Sequence, residues 1–440
     1  MPSFKEYPYW LDAPGAPGLR PGSEKLEVQT EKLEPPALPA RVDVAIIGAG
    51  YTGLAAARQL ARAGASVVVL ERERIGWGAS SRNGGQVLTG LKLDAATLIA
   101  RFGESGARAR FDASLDAIAT LERLIADEGI ECEYERSGHI DVANKPSHFE
   151  AFREEQSLLR RVFDHRVELF PAADQRAEIG SAAYHGLMLD ERSGALNPAR
   201  YVEQLAAAAS RAGAVIVEGA GVTSVSRQQK TWTLGTNRGP LAAGDVLAAT
   251  NGYSDRAVPW LQRRLVPIGS YIIATEPLTD DHAASLIPKR RRVFDSNYFL
   301  HYYRLTRGDR LLFGGRAEFG RPTAETTHRC AEILRRDMVS VFPSLESTRV
   351  EYAWSGNVAF TRDQLPHAGR LDGVYYAGGY CGHGIAMATY LGELIARRMA
   401  GEPIEHPLFD DRFPPIPLYR GTPWFLPFVG AYYALKDWLQ

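Results

Sequence analysis

Between residues 42 and 71 the hydrophobic pattern predicts a strand, a helix and a second strand in immediate succession. The run VDVAII (42–47) is mostly apolar and rich in β-branched residues, which is typical of a buried parallel strand. Apolar residues then recur at helical spacing over residues 54–61. A second apolar run, VVVL (67–70), follows. The order predicts a β-α-β unit at the start of an α/β domain.

Three glycines separate the first predicted strand from the helix. Gly48, Gly50 and Gly53 form G-x-G-x-x-G, in which the first allows a tight turn, the second lets a pyrophosphate approach the backbone and the third lets the helix pack on the strand. The helix N-terminus offers free N–H groups to phosphates. Glu71 ends the second strand, where an acidic side chain receives ribose hydroxyls and repels the 2′-phosphate of NADP. The segment predicts a dinucleotide site.

Two further stretches are rich in glycine. RERIGWGASSRNGGQV (72–87) is costly to order, and a backbone laid along a ligand explains it better than the alternative of a flexible surface loop. VYYAGGYCGHGIAMATYLGELIARRMAG (374–401) is a second strand-glycine-helix unit, with a helix predicted from about Ile385 to Met399. One glycine motif near each end of the chain predicts a cofactor that spans both.

Between these units the pattern predicts a second domain inserted into the first. Helical spacing covers residues 93–128, and aromatic alternation near 271–275 and 297–305 predicts antiparallel strands. The predicted fold is α/β, with a Rossmann-like domain and a substrate domain built of an antiparallel sheet plus helices. The predicted boundaries are an N-terminal arm at 1–40, a discontinuous cofactor domain at 41–95, 186–258 and 354–405, a substrate domain at 96–185 and 259–353, and an aromatic tail at 406–440.

Composition narrows the classes of function. The 440 residues are 45% hydrophobic and 23% charged, the balance of a globular protein of more than one domain. A net charge of −1 gives no reason to expect nucleic acid as a partner. Cys132, Cys330 and Cys381 have neither metal-ligand nor redox spacing, so no metal site is predicted and a reducing cytoplasm is the simplest location.

The chain carries no predicted signal peptide or membrane span. Its N-terminus lacks the basic and apolar regions of a signal peptide, and no stretch is apolar enough over sufficient length to cross a bilayer. The tail TPWFLPFVGAYYALKDWLQ (422–440) gathers aromatic residues beside polar ones. A membrane-surface anchor is an alternative there, but a tail packed on the protein's own surface is commoner and is preferred.

Several longer stretches resemble the glycine/D-amino-acid oxidase superfamily of flavoenzymes. The matching motifs are IIGAGYTGLAAA (46–57), IGWGASSRNGGQ (75–86), NYFLHYYRLTRGDRLLFGGR (297–316), SGN (355–357) and LPHAGRLDGVYYAGGYCGHG (365–384), with the aromatic tail. The resemblance covers nearly the whole chain. It implies FAD, not NAD, as the cofactor.

The resemblance also assigns the residues that contact FAD. They are Gly48, Gly50, Tyr51, Thr52, Gly53, Glu71, Arg72, Gly78, Ala79, Ser80, Ser81, Arg82, Asn83, Gly84, Gly85, Gln86, Val222, Thr250, Asn251, Gly252, Gly379, Tyr380, Cys381, Gly382, His383, Gly384 and Ile385. Some relatives attach flavin covalently through a cysteine just before the last unit. The corresponding stretch AWSGNVAF (353–360) contains none, so non-covalent FAD is predicted.

The resemblance implies oxidation of an amine, with a primary amine such as γ-glutamylputrescine as the leading substrate. The reaction would use O2 and release an aldehyde, ammonia and hydrogen peroxide. Relatives that act on N-methyl amino acids carry a lysine shortly after G-H-G, where this chain has Ile385, Ala386 and Met387. Oxidation of secondary or cyclic amino acids is the alternative if Arg82 or Arg316 supplies the missing charge. A flavoprotein that passes electrons to a quinone or a partner protein is a further alternative.

Four residues are candidates for catalysis. His301 and Tyr303 share one face of a predicted strand, and they are chosen over the opposite face as the pair that meets the substrate; a structural histidine is the equal alternative. His383 lies in the last glycine-rich turn, where it could orient the substrate or cap the helix. Arg316 follows two glycines and could meet a carboxylate or form a structural salt bridge. Trp354 and Gln86 are predicted walls of the pocket.

Overall fold

The computed structural model describes residues 4–13, 37–315 and 322–439. In chain order the strands are β1 (Arg41–Ile47), β2 (Val67–Leu70), β3 (Gln86–Val87), β4 (His139–Val142), β5 (Glu168–Pro171), β6 (Gly186–Asp190), β7 (Gly194–Ala195), β8 (Val215–Val217), β9 (Val222–Gln228), β10 (Thr231–Thr236), β11 (Gly239–Ala248), β12 (Val266–Thr275), β13 (Arg292–Asp295), β14 (His301–Leu305), β15 (Leu311–Gly315), β16 (Val350–Phe360), β17 (His367–Leu371) and β18 (Val374–Gly378). The helices are α1 (Tyr51–Arg62), α2 (Ala95–Glu128), α3 (Pro146–Val162), α4 (Pro198–Arg211), α5 (Pro259–Gln262), α6 (Asp280–Leu286), α7 (Ala324–Val341), α8 (Gly384–Met399) and α9 (Leu426–Leu439).

The first sheet carries the predicted β-α-β unit at its centre. Its strand order is β17-β18-β11-β1-β2-β8, with the β9–β10 hairpin attached to β11. β1 pairs in parallel with both β2 and β11, and apolar side chains bury it on both faces, as the run of β-branched residues predicted. The mixed α/β architecture is confirmed by this sheet and by the helices packed on it.

The helices α1, α2 and α8 are joined by a network of ion pairs that is buried except for Arg123. Arg58 of α1 pairs with Glu128 at the end of α2 at 2.6 Å and with Glu393 of α8 at 3.3 Å. Arg123 of α2 also pairs with Glu393, at 2.9 Å. Since α1 and α8 both begin at glycine-rich turns, the network fixes the relative position of the two turns.

The second sheet has the order β16-β12-β15-β14-β13-β4-β6-β5. One face packs on α7 and contributes to a core that includes Ile273, Tyr303 and Phe313, all fully buried. The opposite face is directed at the first sheet. Side chains alternate between these two faces along each strand, so neighbouring residues have different surroundings.

Two predicted domain boundaries disagree with the sheets to which the residues belong in the structure. Residues 186–190 were assigned to the cofactor domain, but they form β6, which pairs with β4 and β5 in the second sheet. Residues 354–360 were assigned there too, but β16 continues through them and pairs with β12 as far as Phe360. A short apolar run does not reveal which sheet it joins, because pairing partners lie far away in sequence.

Both ends of the described chain pack on the second domain. Residues 4–13 lie beside β16, where Lys5 N donates to Glu351 O at 2.8 Å. At the other end, Tyr433 of α9 stacks on Tyr298 with ring centroids 5.2 Å apart. Across the parts of the chain that the structure describes, no helix combines the length and the apolar character that crossing a membrane requires.

Candidate active site

A cavity of about 290 Å³ lies between the two sheets. The glycine-rich segments line one side of it: the β1–α1 turn, residues 76–86 and the turn before α8. The second sheet lines the other side. Parallel strands β1, β2, β11 and β18 all end at this cavity, the edge where α/β sheets bind their ligands.

The β1–α1 turn has the geometry that a pyrophosphate needs. Gly48 has φ +103°, a conformation that favours glycine, and a Cβ on Gly53 would lie 2.0 Å from Gly48 O. Glu71 at the end of β2 accepts a hydrogen bond from Ala49 N at 2.9 Å. The N-terminus of α1 therefore opens into the cavity next to a carboxylate, as dinucleotide binding requires.

The segment from Ala79 to Gly85 is held in shape by side-chain hydrogen bonds. Tyr51 OH donates to Ser80 O at 2.5 Å, and Asn83 Nδ2 donates to Ala79 O at 2.9 Å. Asn83 Oδ1 accepts from Gly85 N at 2.8 Å. The segment therefore presents a fixed backbone to the cavity despite its glycine content.

The turn before α8 places His383 at the helix N-terminus. Its Nδ1 is buried and has no hydrogen-bond partner among the described residues, and its side chain makes no capping bond. Burial lowers the pKa of His383 to about 3, and the positive charge of Lys92 contributes. The imidazole is therefore neutral at physiological pH and faces the cavity as a hydrogen-bonding group.

Cys381 precedes His383 and also lines the cavity. Its thiol donates to Gly379 O at 3.2 Å, and burial raises its pKa to about 11. A protonated, hydrogen-bonded thiol is a poor nucleophile. These surroundings indicate a small buried thiol that serves packing.

The wall formed by the second sheet is aromatic and apolar, with one cation beside it. Phe294, Leu300 and Tyr302 line it, and Tyr302 OH lies 2.9 Å from Ser270 Oγ. Lys92, from the loop before α2, also lines the cavity and lies close enough to His383 for its charge to lower the pKa of that imidazole. This lysine was missed because its loop carries no motif, and Tyr302 was missed because both faces of β14 carry aromatic residues.

The choice of His301 and Tyr303 as the substrate-facing pair was wrong. Tyr303 is fully buried in the core of the second domain, where its hydroxyl lies 2.7 Å from Tyr184 OH. His301 lies between Asp295 at 2.8 Å and Asp337 at 3.2 Å. The strand alternates as predicted, but the face that meets the cavity is the one with Tyr302. Arg316 lies outside the described residues.

Most of the predicted cofactor residues line the cavity. Those that do are Gly48, Gly50, Tyr51, Thr52, Glu71, Arg72, Gly78, Ala79, Ser80, Arg82, Asn83, Gly84, Gln86, Val222, Thr250, Asn251, Tyr380, Cys381, Gly382, His383, Gly384 and Ile385. The others, Gly53, Ser81, Gly85, Gly252 and Gly379, lie in the same turns but face neighbouring backbone or side chains, as the contacts that a Cβ would meet at the glycines indicate. Gln86 lines the cavity as predicted, whereas Trp354 lies behind it.

The lining fits a large polar cofactor. His383 Nδ1, Asn357 Oδ1 and the side-chain amide of Gln86 are buried without a hydrogen-bond partner among the described residues, and all three side chains line the cavity. Buried polar atoms rarely stay unpaired, so a bound molecule is expected to satisfy them. The turn at Gly48, the carboxylate of Glu71 and these unpaired atoms match the phosphate, ribose and ring ends of FAD.

Comparison with known proteins agrees with this arrangement. The model of the DAO family, described as FAD dependent oxidoreductase, matches residues 43–398. The chain is 35% identical over 400 residues to the gamma-glutamylputrescine oxidoreductase of Escherichia coli (strain K12), which covers 90% of this chain and 92% of that protein. It is 33% identical over 367 residues to the probable oxidoreductase OrdL of Haemophilus influenzae, which covers 82% of this chain and 83% of that protein.

Solved structures share the fold. Glycine oxidase from Geobacillus kaustophilus superposes with a TM-score of 0.73 at 22% identity and covers 84% of this chain and 97% of its own. L-proline dehydrogenase from P. horikoshii superposes with a TM-score of 0.69 at 19% identity, and the match covers 84% of this chain and 96% of that protein. With the family match across residues 43–398 and the full-length similarity at 35% identity, the chain belongs to the DAO family of FAD-dependent oxidoreductases.

Proposed function

We propose that this protein oxidises a primary amine of the γ-glutamylputrescine type. The amine, O2 and water would give an aldehyde, ammonia and hydrogen peroxide. The observation that carries the proposal is the 35% identity, over nine-tenths of both chains, to a relative named gamma-glutamylputrescine oxidoreductase. The aromatic and apolar wall opposite the glycine-rich turns is consistent with an alkylamine chain.

The β1–α1 turn, Glu71 and the segment around Asn83 would hold FAD, together with the turn before α8. FAD, when bound, supplies the hydride acceptor for oxidation of a carbon–nitrogen bond. The protein's part is to bind the amine beside it, to exclude water and to favour the neutral amine.

The apolar wall favours the neutral form of the amine substrate. An alkylammonium resembles a lysine side chain, with a pKa of about 10.4, so deprotonation near pH 7 costs about 4 kcal/mol. Phe294, Leu300 and Tyr302 reduce that cost because an apolar environment disfavours the charged form. His383, with a pKa of about 3, is too weak a base to take the proton. Its neutral ring instead accepts or donates a hydrogen bond that orients the amine.

Lys92 supports a substrate that carries a carboxylate. Among the described residues that line the cavity, the cationic side chains are Arg72, Arg82 and Lys92. Lys92 lies close enough to His383 for its positive charge to lower the pKa of that imidazole, so it is near the residue that would orient the substrate. In γ-glutamylputrescine the carboxylate lies at the end opposite the reacting amine, and Lys92 would bind it there. The same lysine favours a second candidate, oxidation of a secondary or cyclic amino acid.

Anaerobic mixing of the FAD-loaded protein with a panel of amines and amino acids tests the proposal. We expect γ-glutamylputrescine to bleach the visible flavin band quickly, while sarcosine, proline and pipecolate leave it unchanged. Bleaching by the amino acids alone would establish the second candidate instead. In air, hydrogen peroxide and ammonia should each form in a one-to-one ratio with substrate loss. Substrate loss that needs an added quinone would show that electrons pass to another acceptor.

A further inference from the structure

Two buried indoles hold consecutive carbonyl groups of the cofactor-facing segment. Trp354 Nε1 donates to Arg82 O at 2.8 Å, and Trp10 Nε1 donates to Asn83 O at 2.9 Å. The two tryptophans are 2% and 1% exposed. Arg82 and Asn83 line the cavity, whereas neither tryptophan does. The indoles therefore contact this segment from the side away from the cavity.

These bonds fix the direction of the amide groups that follow. In a planar trans peptide the C=O and the next N–H point in opposite directions. With the carbonyls of Arg82 and Asn83 directed to the indoles, the N–H groups of Asn83 and Gly84 are directed the other way, toward the cavity. Glycine at position 84 leaves that amide accessible, and a Cβ there would meet Tyr302 Cε2 at 3.2 Å.

Trp10 belongs to the N-terminal segment, residues 4–13, which is docked on the strand that carries Trp354. Lys5 makes two backbone hydrogen bonds with β16: Lys5 N donates to Glu351 O at 2.8 Å, and Ala353 N donates to Lys5 O at 3.0 Å. Arg304 stacks on the Trp10 ring, with its guanidinium carbon 5.1 Å from the ring centroid. The same guanidinium donates to Gly85 O at 3.0 Å. The N-terminal segment and β16 thus support the cofactor-facing segment together.

We propose that Trp10 and Trp354 are positioning residues that direct the Asn83 and Gly84 amides at FAD, so that FAD binding and docking of the N-terminal segment reinforce each other. The coupling is reciprocal, because two events that favour the same arrangement must stabilise each other equally. The proposal concerns the binding of FAD and does not depend on which amine is the substrate.

Phenylalanine substitutions test the role of the N–H groups. Trp10→Phe and Trp354→Phe keep an aromatic ring but lose the indole donor. Trp232→Phe is the matched control, since Trp232 is also buried, at 5% exposure, and its Nε1 has no hydrogen-bond partner among the described residues. Titration of each apoprotein with FAD should give a Kd raised about tenfold for the first two and within about twofold of the parent for the control.

The visible absorption band of the bound flavin provides a second readout. It should shift in Trp10→Phe and Trp354→Phe, because the hydrogen bonds to the ring system change, and it should stay in place in Trp232→Phe. An unchanged Kd and spectrum in the first two variants would overturn the proposal. So would an equal change in the control, since that would reflect general loss of packing.

Hydrogen exchange on the unmodified protein tests the coupling even if a variant fails to fold. FAD should slow amide exchange in residues 4–13 by about tenfold, the same factor by which undocking of this segment would weaken FAD binding. Exchange in residues 225–234 of the β9–β10 hairpin, which do not line the cavity, serves as the reference. If FAD leaves residues 4–13 no better protected than this hairpin, the coupling does not exist.

Discussion

His301 illustrates how a histidine can be buried among charges without serving the reaction. Burial of its ring disfavours the charge, but hydrogen bonds with Asp295 and Asp337 outweigh that effect and raise its pKa to about 9. The side chain is 21% exposed and lies on the face of β14 away from the cavity. Its protonated form joins β14 to α7 and so contributes to stability.

We expect His301→Gln to lower the free energy of unfolding by ~1–3 kcal/mol at pH 6 and to change the rate of flavin reduction less than about twofold. A pKa raised from about 6.5 to about 9 gives stability that is fully present below pH 6.5 and is lost as the pH rises through 9. Urea denaturation at pH 6 and pH 10 should therefore show a difference from the parent that shrinks at the higher pH. A tenfold fall in the rate of flavin reduction would show that His301 does take part in the reaction.

His383 is the opposite case, a histidine kept neutral inside the cavity. We expect His383→Phe, which keeps a ring but has no hydrogen-bonding atom, to slow flavin reduction about tenfold, the effect of one lost hydrogen bond to the substrate. The pH profile of that rate between pH 5 and pH 8 should keep its shape, because a group with a pKa of about 3 does not titrate there. Stopped-flow measurement across this range checks both points. A limb near pH 6.5 that disappears in the variant would show that His383 changes charge during catalysis.

Lys92 is expected to distinguish substrates by their carboxylate. Lys92→Met should raise the KM for γ-glutamylputrescine about tenfold or more, because a charge-assisted hydrogen bond is lost, and should leave putrescine, which has no carboxylate, nearly unaffected. Lys230→Met, at an exposed turn between β9 and β10, is the control. Steady-state kinetics with both amines gives the comparison. An equal rise for putrescine would mean that Lys92 shapes the cavity and does not bind the carboxylate.

At the scale of elements, local signals were enough for the cofactor turns but not for the substrate wall. Glycine spacing and β-branched runs predicted β1, α1 and β2, because each depends on neighbours in the sequence. On β14 both faces carry aromatic residues, so the pattern could not show that Tyr302 faces the cavity. The assignment of residues 186–190 and 354–360 to the cofactor domain disagreed with the structure for a similar reason. The sheet that these residues join depends on pairing with strands that are distant in sequence.

The contact between α1 and β1 allows a direct test of the first turn. A methyl group on Gly53 would lie 2.0 Å from Gly48 O, a backbone atom that cannot move without shifting the turn. We expect Gly53→Ala to destabilise the protein by about 3 kcal/mol or more and to abolish tight FAD binding. Gly308→Ala is the control, because its Cβ would have ordinary contacts of 3.6 Å or more. Thermal unfolding and FAD titration measure both effects, and a Gly53 variant that retains FAD as the control does would contradict this account.

At the scale of the whole molecule, both ends of the described chain pack beside segments that line the cavity. Trp10 supports the cofactor-facing segment. Tyr433 of α9 stacks on Tyr298, two residues before Leu300 in the cavity wall. Sequence patterns could place neither contact, since both join segments that lie far apart in the chain.

The whole protein should release its flavin on denaturation. Cys381 is the cysteine that lines the cavity, and its thiol is protonated, with a pKa of about 11, and bonded to Gly379 O. We therefore expect the intact mass of the denatured protein to equal that of the polypeptide alone, with FAD recovered in the supernatant. A mass increased by that of the flavin would show a covalent bond.

The order of strands in the first sheet also bears on when the cofactor can be captured during synthesis. β1 lies beside β11, and β11 lies beside β18, so the cavity draws on residues from Ile47 to Ala388. Ribosomes add about 5–20 residues per second, so tens of seconds pass between synthesis of the β1–α1 turn and synthesis of the last residues that line the cavity. FAD capture is consequently a late event in the life of each chain. A cell short of riboflavin would accumulate this protein as finished but empty chains, and restoring the vitamin would recover activity without new translation.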